Sequence, residues 1–174
     1  MKILLATDGS SCSDAALDAL CARPWPEKSE VCVLSVAAPP PYLEEPLFAA
    51  GAACGRVFEE ERERAGRDAS RVARAIRRRA PALSVVAKSV AGTPAASILE
   101  EAAKFGADLI LVGSHGRSAA ARFLLGSVSN AVALHAPCSV EVVRKPAPAA
   151  IRAGGGGSRV GRGRSPRPSG RDGQ

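Results

Sequence analysis

The chain has 174 residues, of which 46% are hydrophobic and only 3% aromatic. That length suits one domain better than two, and an aliphatic core leaves too few rings for a base-stacking nucleic-acid module. The formal charge of +7 belongs to one end: residues 146–174 hold six of the 24 basic and one of the 17 acidic residues, leaving 18 and 16, a net of +2, for residues 1–145.

The chain opens on Ile3-Leu4-Leu5-Ala6-Thr7, a short apolar run that reads as a strand. It is too short for a signal peptide and is ended by Asp8. Ser13 to Cys21 follows as a helix with Ala15, Ala16, Ala19 and Leu20 on one stripe. Val31 to Val36 reads as a second strand. The stretch from Ala38 to Gly55, rich in Pro and Ala, reads as a loop over one end of a sheet. Ala65, Ala69, Val72 and Ile76 then recur at helical spacing in a highly charged segment that stops at Pro81. Within it, the mixed charges from Glu59 to Arg67 read as a solvated helix face.

Ser84 to Val90 is a third strand. Thr93-Pro94 reads as an N-cap with Pro at the first helical position, opening a helix that buries Ile98, Leu99, Ala102 and Ala103 and ends at Gly106. Leu109 to Gly113 is a fourth strand, apolar almost throughout, as expected of a parallel strand covered on both faces. A last helix begins near Ser127 and carries Val128, Val132 and Leu134 or His135 inward until Pro137; Ser139 to Val143 is the fifth strand. The alternation predicts an α/β fold, an open doubly wound five-stranded parallel sheet with helices on both faces, over residues 1–145.

From Pro146 the composition turns to Ala-Pro, then Gly154 to Ser158, then an Arg/Gly/Ser/Pro run to Gln174. This basic tail is expected to be disordered; Gly154 to Ser158 reads equally as a linker or as natural low-complexity sequence. The five cysteines are odd in number and lack C-x-x-C spacing, so they read as small buried hydrophobes of a reducing, cytoplasmic setting rather than as a disulfide or zinc framework. No apolar run is long enough for a membrane span.

The informative stretch follows the fourth strand. Gly113 and Gly116 stand two residues apart, and after nine more Gly126-Ser127 opens a helix. Glycines here permit positive φ and close approach of main chain to a ligand, and free amides at a helix start favour an anion. Ser127 and Ser129 are candidate hydroxyl donors, and Arg117 and Arg122 candidate counter-charges for a polyphosphate. His115 reads as a loop spacer, since no nucleophile and orienting acid assemble around it. No metal site is expected from the protein's own residues. Asp8 suits either a direct hydrogen bond to a nucleotide or a Mg²⁺ shared with phosphate oxygens. The P-loop pattern G-x4-G-K-[S/T] is missing.

The spacing G-x2-G-x9-G-[S/T], matched by Gly113, Gly116, Gly126 and Ser127, resembles the ATP-binding branch of the universal stress protein family. The likeness extends to Ile3 through Ser10, the Val31 to Val36 strand, Gly92-Thr93-Pro94 and Ala136-Pro137-Cys138-Ser139-Val140, and so covers about residues 1–145. Ala119 departs from it, standing where many members have Gly.

The resemblance implies an adenine nucleotide alpha hydrolase-like sheet in the order 3-2-1-4-5. It implies adenine packed against Val36 and Val112, contacts from Thr7, Asp8 and Arg117, and ribose and phosphates held by Gly113, Gly116, Gly126, Ser127, Val128 and Ser129. It implies a homodimer through Ser139 to Val143. The expected function is a regulatory, stress-response module that binds ATP, with or without Mg²⁺, hydrolyses it at most weakly, and answers to a protein partner. Two other readings compete. An adenylate-using enzyme on the same fold would show Ser-Gly-Gly-x-Asp-Ser or His-x-Gly-His, both absent. A nucleic-acid binder would have to act through the tail's six Arg.

Overall fold

The computed structural model describes residues 1–39, 52–116 and 125–145. The elements run β1 (Lys2–Ala6), α1 (Ser11–Cys21), β2 (Glu30–Ala37), α2 (Ala52–Arg79), β3 (Ser84–Ala91), α3 (Pro94–Phe105), β4 (Leu109–Gly113), α4 (Ser127–His135) and β5 (Ser139–Val143). All strand pairs are parallel, in the order β3-β2-β1-β4-β5. The chain therefore leaves β1 toward one edge and returns at β4 to build the other, which makes the gap between these strands the switch point of the sheet.

β1 is central, and its alternation sorts the core into two layers. Ile3 and Leu5 join Val31, Val33 and Leu111 beneath α1 and α2. Leu4 joins Leu34, Ile110 and Val112 beneath α3 and α4. The α2 stripe Ala65, Ala69, Val72 and Ile76 is at most 1% exposed. Its small residues let a 28-residue helix lie close to the sheet. The helix begins at Ala52, inside the stretch expected to be loop; residues 40–51 lie outside the described residues.

Other expectations on the helices change with the packing. Leu17 joins the α1 stripe, whereas Ala19 is only partly buried. Thr93 stands at the α3 N-cap without a side-chain cap bond, while Gly106 closes that helix in the left-handed region at φ +67°. Ala103 faces solvent, and the buried neighbour of Ala102 is Glu101 instead. Leu134 is 71% exposed and His135 also faces outward, because α4 buries only Ser129 and Val132. Among the described cysteines, all free, only Cys32 is buried; burial pushes its thiol up from the ordinary range. The tail lies outside the described residues.

Glu101 keeps its charge at 7% exposure because Lys88, reaching across from β3, and Lys104 both pair with it. The hydrogen bond from Lys88 holds its carboxyl below the usual range. A depressed folded-state pKa adds stability above the unfolded value, lost as pH falls through the folded one. Glu101→Gln should therefore be less stable than wild type at neutral pH, with the difference closing as pH falls below the unfolded glutamate value of about 4.3, read by urea unfolding at each pH.

Candidate functional site

Two loops leave the carboxyl ends of β1 and β4 and meet. The first is tight. The Thr7 amide continues the ladder onto Leu34 O at 2.8 Å. Thr7 Oγ1 accepts from the Gly9 amide at 3.4 Å, and Asp8 Oδ1 accepts from the Ser10 amide at 3.0 Å. Ser10 Oγ accepts from the Ser13 amide at 3.2 Å and so caps α1. Gly9 turns the chain at φ +77°, a conformation open to glycine.

The second loop is tied at both ends. The Ser114 amide donates to Val143 O at 2.7 Å, and the Gly126 amide donates to Ser114 O at 2.8 Å. Among the described glycines, positive φ falls at Gly9, Gly92 and Gly106 and not at those of the motif. The motif glycines instead stand where other groups come close, and at Gly113 the neighbour is main chain. A Cβ on Gly113 would stand 2.7 Å from the main-chain carbon of Cys12, in the first turn of α1. One on Gly116 would stand 2.9 Å from Asp8 Oδ2, and one on Gly126 3.2 Å from Ser114 O. Gly116 therefore lies directly against the Asp8 carboxylate.

Ser129 also departs from expectation. Its hydroxyl is 3.0 Å from both Ser114 O and Gly126 O, so it donates within the loop rather than to a ligand. What it holds open is the start of α4. Gly126 offers no side-chain cap there. The first-turn amides of Ser127, Val128 and Ser129 have no acceptor within the helix and stand at the positive end of its dipole.

Above these loops lies a cleft of about 590 Å³, within the size range of small-molecule sites. Its lining combines apolar Leu34, Val36, Ile98, Val112 and Val128 with polar Thr7, Asp8, His115 and Ser127. Ten of the eleven residues expected from sequence line it: Thr7, Asp8, Val36, Val112, Gly113, Gly116, Gly126, Ser127, Val128 and Ser129. Arg117, like Arg122, lies outside the described residues.

Sequence reasoning passed over His115, Ser13 and Ile98 as site residues. His115 lines the cleft, although it reads as a spacer. Its Nδ1 is 3.0 Å from Ser114 Oγ, while its Nε2 is buried without a partner among the described residues. A buried orphan of this kind costs free energy until something binds it. Its place inside the motif was the available signal. Ile98 was legible as a core residue, but its second role depends on how α3 crosses the sheet. No group of three or more metal-ligating side chains occurs among the described residues, and no helix of theirs is long and apolar enough to cross a membrane.

Comparison with known proteins gives a consistent result. The family model described as the universal stress protein family matches residues 1–144. The universal stress protein YxiE of Bacillus subtilis is 30% identical over 151 residues, covering 82% of this chain and 98% of that one. A putative universal stress protein of Staphylococcus epidermidis is 52% identical over 54 residues, 30% of this chain. The match spans about a third (32%) of that relative's length. Among solved structures, the protein MJ0577 superposes with a TM-score of 0.71 at 26% identity, covering 83% of this chain and 96% of that one. A universal stress protein in complex with cAMP superposes at 0.50 with 25% identity, covering 83% and 96%.

The packing role of Gly113 is open to a direct test. Gly113→Ala should lower unfolding free energy by about 1–3 kcal/mol, because two main chains would have to part. Gly66→Ala, mid-helix in α2, meets only Ser89 Oγ at 3.7 Å and should raise it by about 0.5–1 kcal/mol; urea unfolding of both variants reads the contrast.

Proposed function

The chain belongs to the universal stress protein family, and from that premise we propose that its cleft binds an adenine nucleotide, ATP foremost, as a regulatory switch with little or no turnover. The observation that carries the reading is the start of α4, without a side-chain cap, lining a cleft that apolar Leu34, Val36, Ile98 and Val112 also line. The apolar lining suits a purine, which Val36 and Val112 would hold between them. The amides of Ser127, Val128 and Ser129 suit phosphate oxygens, with the Gly113 to Gly116 loop beside them and Arg117 as a further counter-charge. The solved relative that holds cAMP supports an adenylate as the ligand class.

Asp8 would contact the nucleotide directly or share a Mg²⁺ with its phosphates, since that ion takes one or two carboxylates plus phosphate oxygens. Such an ion would neutralise phosphate charge. The reading of little turnover draws support from His115, whose Nδ1 lies 3.0 Å from a hydroxyl, Ser114 Oγ, rather than from an orienting carboxylate among the described residues.

The outer edge of β5 supports a homodimer. Val140 and Val142 are only partly buried, and Leu134 of α4 is 71% exposed. An open apolar edge is a template for a second strand. Nucleotide occupancy would then alter how the dimer meets a protein partner in the cytoplasm.

Ser127→Asp tests the phosphate position without disturbing the fold, because Ser127 is exposed and an acid in the first turn of a helix is stabilising. Calorimetric titration should show ATP affinity falling at least about tenfold, with adenosine affinity and the melting temperature held or improved. Unchanged ATP affinity in the variant, or no binding by wild type, would remove the proposal.

A further inference from the structure

The charged segment of α2 is not a solvated face throughout. Glu59 and Glu63 have side chains more than 60% exposed, whereas those of Glu61, Arg64 and Asp68 are 22%, 29% and 19% exposed. The three half-buried groups stand at i, i+3 and i+7, one line along the helix, beside the apolar stripe. The line points at the β1–α1 loop. Arg64 pairs with Glu61 and lies 3.7 Å from Asp68, and its Nη1 donates to the main-chain oxygen of Asp8 at 3.5 Å. Asp68 fills the space beside Gly9: a Cβ there would stand 2.8 Å from Asp68 Oδ2. Arg71, one turn further, lies 4.0 Å from Asp68 and bridges to Asp14 of α1 at 3.0 Å.

Exposed ion pairs alone would stabilise little. These groups differ because they act on main chain. Asp8 is held from outside through its carbonyl, by Arg64, and from inside through its carboxylate, by the Ser10 amide and the close packing of Gly116. Gly9 is confined between, in a conformation that few other residues adopt. The geometry points to Arg64 and Asp68 as positioning residues that fix the Asp8 carboxylate for the ligand in the cleft. The assignment rests on the nucleotide reading above and adds to it an element, α2, that does not line the cleft. It also makes the loop a physical link between ligand and the outer surface of α2.

The experiment has a ligand-free arm and a ligand arm. In ligand-free protein, hydrogen exchange at the Gly9 and Ser10 amides should be about tenfold faster in Arg64→Ala and Asp68→Ala than in wild type, and unchanged in Glu63→Ala. Unchanged exchange in Arg64→Ala and Asp68→Ala overturns the clamp whether or not a nucleotide binds. In calorimetric titration with ATP, the same two variants should bind about tenfold more weakly, and Arg64→Lys should recover part of the loss. In an Asp8→Ala background, Arg64→Ala should cost nothing further if it works through that carboxylate. An additive loss, or full affinity in Arg64→Ala, overturns the positioning role. If wild type binds no nucleotide while exchange responds as expected, the nucleotide reading fails and the clamp on the loop stands.

Discussion

The site depends on the parallel register between β1 and β4. Ile3, Leu4 and Leu5 pair with Leu109, Ile110 and Leu111, so the two strands end level and their loops emerge together. Asp8 is then close enough to Gly116 that a methyl group would not fit between them. A slip of one residue would put Leu4 and Ile110 on opposite faces of the sheet and break both core layers. The hydrophobic core that stabilises the sheet is thus also what aligns the cleft.

The glycines show how tightly this is drawn. A glycine-rich motif invites a reading in which backbone freedom wraps a ligand. In this fold Gly113 admits the first turn of α1 against β4, and Gly126 brings the start of α4 onto Ser114 O. The motif fixes helix ends first, and those ends carry the amides that suit an anion. Ser129 belongs to the same construction, its hydroxyl committed to the loop carbonyls while the residue lines the cleft.

Much of this was legible because it is local or periodic. β4 and β5 have the bounds expected from their apolar runs, and no end of β1, β2 or β3 differs by more than one residue. The α2 stripe follows from spacing alone, as does the left-handed close of α3 at Gly106. The motif and Asp8 pointed to the cleft because both follow strand ends. What escaped depends on contacts distant in sequence. Glu101 is buried only because Lys88 reaches it from another strand. Leu134 is exposed because α4 turns a different face to the sheet. Arg64 and Asp68 look like any mixed-charge helix surface until β1 brings Gly9 beside them. Nor does the sequence mark the His115 Nε2, which lacks a partner among the described residues.

A crystal structure of the protein grown with ATP tests the central claim most directly. The purine should lie between Val36 and Val112, with phosphate oxygens about 3 Å from the amides of Ser127, Val128 and Ser129. A nucleotide bound elsewhere, or a cleft filled by the protein's own side chains at saturating ATP, would contradict it.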